Sequence, residues 1–175
     1  MITVQDIILA LSGRRVAPCG QLITEAVIDS RKAIPGSLFI ALAGEKSDGH
    51  QYVQAAFKNG ASLALVQQEM PEGVRVLDLR GSSPADALVL PETPFCLRVE
   101  DSLAALQTIA GYWREKLALH VIGITGSVGK STTKELIAEV LARKYHTYKN
   151  PGNYNNEIGL PLTILNLGSG YECLV

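Results

Sequence analysis

Short apolar runs alternate along this chain with segments whose apolar positions recur at helical spacing. Near the N-terminus, helical spacing places four apolar residues on one face: Val4, Ile7, Ile8 and Leu11. Thr3 is suited to cap this helix and Gly13 to end it. Further helices are expected at residues 50–58 and 102–117, between strand-like runs at residues 27–28, 38–42, 62–66 and 95–99. This alternation predicts an α/β fold.

The most informative pattern is the apolar run at residues 120–124, which is followed by a glycine-rich turn and a helical segment at residues 132–144. The run predicts a buried strand. A strand, a turn carrying Gly-Lys-Ser and a helix form a phosphate cradle, because the loop N–H groups and the helix N-terminus attract anions. In such a cradle Lys130 reaches the terminal phosphates of a nucleotide, and Ser131 binds Mg²⁺.

The match to the general phosphate-loop pattern is incomplete. Gly-x-x-x-x-Gly-Lys-Ser requires glycine six residues before Lys130, where this chain has Ile124; a glycine comes later, at Gly126. The alternative is a strand–helix turn that contains Gly-Lys-Ser by chance. The strand before the turn and the helix after it favour phosphate binding.

Composition narrows the function classes. A hydrophobic content of 47% is ample for a packed core, and a formal net charge of -1 gives no field that would attract nucleic acid or an anionic membrane. There is no run of 18 apolar residues for a membrane span and no basic segment of a secretory signal. Cys19, Cys96 and Cys173 are widely spaced, which is typical of reduced thiols in a cytoplasmic protein. The last two lie in strand-like runs and are expected to be buried.

The composition shifts near residues 95–101. We therefore expect a small N-terminal α/β domain at residues 1–100, followed at residues 101–175 by a connecting helix and the first part of a P-loop mononucleotide-binding α/β domain. The apolar pattern stops within a strand-like run, so we expect this chain to be part of a longer protein.

Three segments together resemble the Mur ligases, the ATP-dependent amide ligases that build the peptidoglycan stem peptide. Residues 29–42, followed by Gly44 and the Asp48-Gly49-His50 triplet, look like the uridine-nucleotide-binding signature of the family's N-terminal domain. Residues 123–135 are similar to the family's own phosphate loop, which also has its glycine at the Gly126 position. Residues 150–163 resemble the member that adds D-alanyl-D-alanine, whereas the diamino-acid-adding relative typically has Thr-Thr-Pro there.

The resemblance implies an enzyme that uses ATP and Mg²⁺ to activate a carboxylate of UDP-MurNAc-tripeptide as an acyl phosphate, which D-alanyl-D-alanine then attacks. It also implies a further metal ligand and a third domain beyond these 175 residues, so the chain alone is expected to be inactive. The diamino-acid-adding ligase, another amide ligase of the superfamily and a nucleotide-binding module without ligase activity stay open as alternatives. Neither nucleic acid nor a membrane is an expected partner, and the oligomeric state is open.

By the same resemblance, candidate site residues fall into two groups. The candidates for ATP binding are Gly126, Ser127, Val128, Gly129, Lys130, Ser131 and Thr132, with Lys130 also the catalytic candidate and Ser131 the metal ligand. The candidates for substrate binding are Ser30, Arg31, Asn153, Asn155 and Asn156.

Some of these positions have structural alternatives. The three asparagines also fit a turn that caps a helix starting near Ile158. Asp29 is interpreted as a capping carboxylate, and His50 as either a substrate contact or a helix cap. Lys134 and Glu135 are expected on a solvated helix face.

Overall fold

The computed structural model of this protein describes residues 1–17, 20–44, 47–81, 88–151, 156–168 and 170–175. Its α-helices are α1 (Val4–Ser12), α2 (Val53–Lys58), α3 (Ser102–Lys116), α4 (Lys130–Leu141) and α5 (Gly159–Leu165). Its strands are β1 (Ala26–Val27), β2 (Leu38–Ile40), β3 (Leu63–Val66), β4 (Val76–Asp78), β5 (Phe95–Arg98), β6 (His120–Val121), β7 (Thr147–Tyr148) and β8 (Cys173–Leu174). Single 3₁₀ turns lie at Ser30–Lys32 and Gly49–Tyr52.

Strands β1 to β5 form the first sheet, which is parallel throughout and has the order β1-β2-β3-β5-β4. The two outer strands, β1 and β4, are edges. Since parallel strands need crossover connections, the helices between them lie on the faces of the sheet.

Both faces of the first sheet are covered, and the alternation of side chains along each strand divides the core in two. On one face the strand residues pack with α1 and α3, in a cluster that includes Leu38, Leu63, Phe95, Ile7 and Leu106. On the other face they pack with α2, in a cluster that includes Phe39, Ala64, Cys96, Val53 and Ala56. The near-continuous apolar runs of these strands follow from this two-sided burial.

The ends of α1 follow the sequence prediction, and α3 also has a side-chain cap. Thr3 and Asp6 form a reciprocal capping box at the start of α1, and Gly13 ends the helix in the left-handed conformation with φ 68°. Asp101 caps α3 by accepting hydrogen bonds from the N–H groups of Leu103 and Ala104. Each cap satisfies backbone groups that a helix terminus otherwise leaves unpaired.

Strands β6 to β8 form the second sheet, which is parallel with the order β6-β8-β7. The prediction of a buried strand over residues 120–124 is wrong in extent and in burial: β6 covers only His120–Val121, and both residues are exposed. The reason is that β6 is an edge strand, whereas the central β8 carries the buried residues Cys173 and Leu174. Cys96 and Cys173 are both buried thiols, as predicted; Cys19 lies outside the described residues.

Helix α5 connects the two sheets. It packs along α3, it contacts β1, and Leu165 joins the core cluster of the first sheet. Trp113 of α3 packs against the same cluster. None of the described helices has the length and apolarity needed to cross a bilayer. The α/β class with parallel sheets is confirmed.

Candidate functional site

The glycine-rich turn between β6 and α4 is the candidate phosphate loop, and two of its glycines have positive φ. Gly126 and Gly129 have φ values of 146° and 82°, which side chains of L-residues rarely adopt. Gly129 is also the N-cap of α4. The glycines are therefore required by the path of the chain and are not incidental members of a Gly-Lys-Ser triplet.

Helix α4 differs from α1 and α3 in having no side-chain cap at its N-terminus. Gly129 has no side chain with which to accept a hydrogen bond from the first-turn N–H groups. These groups carry the positive end of the helix dipole. An anion bound at this end would accept hydrogen bonds from these N–H groups, which no side chain caps. The N–H groups therefore fit a phosphate.

The side chain of Lys130 turns back onto this loop. Its ammonium group donates a hydrogen bond to the carbonyl of Gly126, so the positive charge lies directly over the loop. Ser127, Val128 and Thr132 are exposed, with the Val128 side chain 93% accessible, so Val128 can contribute to a ligand only through its backbone.

A cavity of about 380 Å³ opens beside the loop. Among the residues that line it are Lys130, Ser131, Lys134, Asn150 and Thr163. The exposed Ser131 hydroxyl fits a Mg²⁺ ligand that is shared with phosphate oxygens. Among the described residues, no cluster of three or more His, Cys, Asp or Glu side chains could hold a metal alone.

Lys134 corrects the expectation of a solvated helix face. It is half-buried, lines the cavity, and donates a hydrogen bond of 2.8 Å to the backbone carbonyl of Asn150. Glu135 pairs with Lys149 beside it. The sequence held a usable signal, since a residue four positions after Lys130 lies on the same face of the helix.

Asn150 is held between α4 and α5. The Thr163 hydroxyl donates to the Asn150 side-chain oxygen at 2.8 Å. The Asn156 side-chain oxygen accepts from the N–H of Gly159 at 2.7 Å, so Asn156 has the capping role that was its structural alternative. Asn153 and Asn155 lie outside the described residues.

The other candidate substrate residues, Ser30 and Arg31, lie in the 3₁₀ turn that begins three residues after β1 ends. Asp29 caps the 3₁₀ turn and binds the Arg31 guanidinium with two hydrogen bonds of 2.9 and 2.8 Å. These bonds lower the pKa of Asp29 to about 2 and raise the pKa of Arg31. Arg31 is exposed and Ser30 is buried, with the Ser30 carbonyl accepting from the Asn59 side chain. The capping interpretation of Asp29 is confirmed.

A second cavity, of about 430 Å³, lies between β1 and the second sheet's helix α5. Its lining includes Asp29, Lys32, Tyr148, Thr163 and Asn166, but neither Ser30 nor Arg31. Thr163 lines both cavities. Ser30 and Arg31 therefore lie between two lining residues in the sequence but do not line the cavity themselves. The cavity lies between the end of β1 and α5.

His50 is a structural residue. It is buried, and its Nε2 accepts the backbone N–H of Gln67 at 3.0 Å, so Nδ1 carries the proton and donates to Asp48. The hydrogen bonds that Asp48 accepts from the backbone N–H of His50 and from its ring lower the pKa of Asp48. The helix-cap interpretation of His50 is wrong, because Asp48 caps the 3₁₀ turn and His50 lies within it. A substrate contact by His50 stays a prediction.

Two family models match the chain. The model described as Mur ligase family, catalytic domain, matches residues 22–90, and the model described as Mur ligase middle domain matches residues 124–175. The second match begins at the phosphate loop.

Known proteins are similar over most of this chain. The UDP-N-acetylmuramoyl-tripeptide--D-alanyl-D-alanine ligase of Synechocystis is 41% identical over 150 residues, which are 86% of this chain and 29% of that ligase. MurF from Acinetobacter baumannii has a TM-score of 0.76 at 31% identity, covering 99% of this chain and 34% of that one. MurF from Thermotoga maritima in complex with ADP has a TM-score of 0.69 at 32% identity, covering 86% and 31%. The chain thus spans about a third of the length of the proteins it matches.

Proposed function

Because this chain belongs to the Mur ligase family, we propose that it forms the N-terminal part of an ATP-dependent ligase that adds D-alanyl-D-alanine to UDP-MurNAc-tripeptide. The observation that carries the proposal is the phosphate loop: α4 begins at a glycine without a side-chain cap, and Lys130 lies over that glycine-rich turn. The similarity to relatives named as D-alanyl-D-alanine ligases supports the choice of substrates. The product would be a peptidoglycan precursor, made in the cytoplasm.

In this proposal residues 126–132 hold ATP, which supplies the phosphoryl group that activates the substrate carboxylate. Lys130 leaves the Gly126 carbonyl to bind the phosphates, and the first-turn N–H groups of α4 stabilise their charge. Ser131 would hold Mg²⁺, which would offset the negative charge of the phosphates. Catalysis then depends on alignment and charge neutralisation and needs no covalent protein group.

We propose residues 1–100 as the domain for the uridine nucleotide and residues 101–175 as a connecting helix and the first part of the ATPase domain. Ser30 and Arg31 bind the diphosphate end of the substrate, for which Arg31 exchanges its Asp29 partner. Asn153 and Asn155 contact the substrate near the site of transfer, and Asn156 does so through its side-chain nitrogen while its oxygen holds the start of α5. The 175-residue chain binds nucleotides but does not complete the reaction.

Nucleotide binding is tested by calorimetric titration of the chain with ATP and Mg²⁺. Lys130→Ala is expected to weaken binding about tenfold or more, because an ammonium–phosphate contact is lost. Lys144→Ala is the matched control, since Lys144 lies beyond the other end of α4, near the Tyr145 ring. Equal ATP affinity in wild type and Lys130→Ala would contradict the phosphate role of Lys130.

The uridine site has a closely matched control in the same sheet. Arg80 binds Asp78 at the end of β4 as Arg31 binds Asp29 at the end of β1, with nearly the same hydrogen bonds. Arg31→Ala is expected to weaken binding of UDP-MurNAc-tripeptide to the chain, and Arg80→Ala is not. A non-ligase nucleotide-binding module would bind ATP and show no affinity for the uridine-linked compound.

The amine substrate is tested with the full-length protein that contains this chain. Product formation with D-alanyl-D-alanine, but not with lysine or diaminopimelate, supports the proposal. Preference for a diamino acid would identify the diamino-acid-adding ligase instead. Turnover by the 175-residue chain itself would contradict the proposal that it is incomplete.

A further inference from the structure

We propose that Asn166 is a positioning residue, whose side-chain amide binds the outer edge of β1 and so fixes the first sheet relative to the phosphate loop. The proposal rests on the proposed ligase function only for its effect on turnover. Its structural part, that one amide sets how the two sheets lie together, can be tested without any substrate.

The side-chain amide of Asn166 binds the backbone of β1 as a neighbouring strand would. The Asn166 Nδ2 group donates to the carbonyl of Ala26 at 2.9 Å, and the N–H of Ala26 donates to Oδ1 of Asn166 at 2.6 Å. Ala26 lies opposite Leu38 in the parallel register, and the Leu38 N–H binds the Glu25 carbonyl. The N–H and carbonyl of Ala26 therefore point away from β2, and Asn166 satisfies both.

The two residues joined by this contact belong to different parts of the proposed site. Ala26 lies three residues before Asp29, which holds Arg31. Asn166 follows α5, whose start is held by Asn156 and whose middle is tied to Asn150 through Thr163. Helix α5 thus spans from the asparagine-rich segment to the strand that carries the candidate uridine residues.

The remaining contacts of α5 do not define its position as sharply. Leu162, Ile164 and Leu165 pack against the apolar cluster of the first sheet, and apolar contacts are non-directional. Gln107 donates to the Glu157 carbonyl at 3.2 Å, which is a single bond at an exposed site. The paired bonds of Asn166 are directional, so they determine the register of α5 on β1.

The cavity of about 430 Å³ between the sheets depends on this register. Asn166 forms part of its wall, together with Asp29, Lys32 and Tyr148. A shift of α5 along β1 would change the distance between the uridine residues and the phosphate loop. In the proposed ligase that distance places the substrate carboxylate against the γ-phosphate, and misplacement by about 1 Å can cost up to about a hundredfold in rate.

The structural test uses the 175-residue chain with Asn166→Ala and Asn166→Asp. Aspartate has the shape of asparagine but cannot donate to the Ala26 carbonyl, so it separates the hydrogen bonds from space filling. Thr24→Val is the control, because the Thr24 hydroxyl binds the Pro35 carbonyl within the first sheet's own loops. Spin labels on Lys58→Cys and Glu139→Cys, in a background with Cys19→Ser and Cys173→Ala, report the distance between α2 and α4.

We expect both Asn166 variants to broaden that distance distribution and to raise amide exchange at Ala26 by about tenfold or more, while Thr24→Val leaves both unchanged. An unchanged distance distribution in both variants would overturn the proposal, whatever happens at Ala26. Wild-type behaviour of Asn166→Asp alone would also overturn it, because filling space would then suffice.

The catalytic test uses the full-length protein. Asn166→Ala is expected to lower kcat about tenfold or more with the KM for ATP within about twofold, since alignment is lost and phosphate binding is not. A kcat equal to that of wild type would overturn the positioning role. If wild type is inactive on these substrates, the proposed function fails, and the distance measurement still decides whether Asn166 fixes the two sheets.

Discussion

The two sheets of this protein differ in how completely their strands are covered. In the first sheet every residue of β2 and β3 is buried, with helices on both faces. In the second sheet both residues of β6 are exposed, and the neighbouring helix α4 exposes Leu136 and Val140 by 59% and 71%. The candidate phosphate loop lies in the less covered part of the molecule.

This difference teaches how the two kinds of site are built. The uridine candidates follow a strand end that a complete core holds in place. The phosphate loop joins an exposed edge strand to a helix that has one buried residue, Ala138. Segments with few buried contacts open locally at low free-energy cost, and ligand-binding loops are drawn from them. We therefore expect nucleotide binding to stabilise the second sheet more than the first.

The largest expected effect is on the free energy of unfolding, and it distinguishes a variant in the first sheet from one in the second. Leu65→Ala removes a fully buried side chain from β3 and should lower the free energy of unfolding by about 3 kcal/mol. Val121→Ala, at a residue 41% exposed in β6, should cost less than about 1 kcal/mol. Urea unfolding of both variants measures the difference. Equal losses would show that the second sheet is as well packed as the first.

The cysteines provide a reporter in each sheet. Burial raises the pKa of the Cys96 thiol to about 12, and Cys96 lies in the central part of the first sheet. In a Cys19→Ser background, we expect iodoacetamide to modify Cys173 at least about tenfold faster than Cys96, because the second sheet opens more readily. Mass spectrometry of the labelled peptides gives both rates. Faster modification of Cys96 would reverse the comparison.

A smaller effect is expected where α5 holds the segment at Asn150. Thr163→Val removes a hydrogen bond between α5 and that segment, and should cost about 1 kcal/mol in the free energy of unfolding. Thr108→Val is the control, since the Thr108 hydroxyl binds only a carbonyl of its own helix. Thermal unfolding compares the two. If Thr163→Val loses no more stability than Thr108→Val, the hydrogen bond between Thr163 and Asn150 does not stabilise the second sheet.

The smallest effect is at the rim of the first sheet. The lowered pKa of Asp29 means that its pairing with Arg31 is present above the ordinary carboxyl pKa and is lost as the pH falls through about 2. Carbon-13 NMR should give a titration midpoint near pH 2. In Arg31→Ala the midpoint should rise toward the ordinary value of 3.8. An unchanged midpoint would mean that the guanidinium does not cause the shift.

Local patterns in the sequence predicted much of the first sheet. Thr3, Gly13 and Asp101 act at the ends of helices through neighbours within four residues, so their roles can be inferred from the sequence. The exposure of β6 could not be inferred, because an apolar run looks the same at an edge and at the centre of a sheet. Strand order decides burial, and it is a property of the whole chain.

The same limit applies to the candidate site. The glycines and Lys130 of the candidate phosphate loop follow a local pattern; in the structure Gly126 and Gly129 have positive φ and Lys130 binds the Gly126 carbonyl. The spacing of Lys134 from Lys130 indicates its helix face, but the sequence does not indicate its partner, Asn150, which is 16 residues away. The sequence does not indicate the role of Asn166, since an asparagine after a helix fits an ordinary helix end. Its partner, Ala26, is 140 residues away.

That separation has a consequence for synthesis of the chain. A ribosome adds about 5–20 residues per second, so β1 emerges roughly 7–28 s before Asn166 exists to bind it. During this interval Ala26 presents an unpaired N–H and carbonyl at the edge of a nascent sheet, which other extended chains can bind. Synthesis of Asn166 therefore ends a period in which the growing polypeptide can misassemble through this edge.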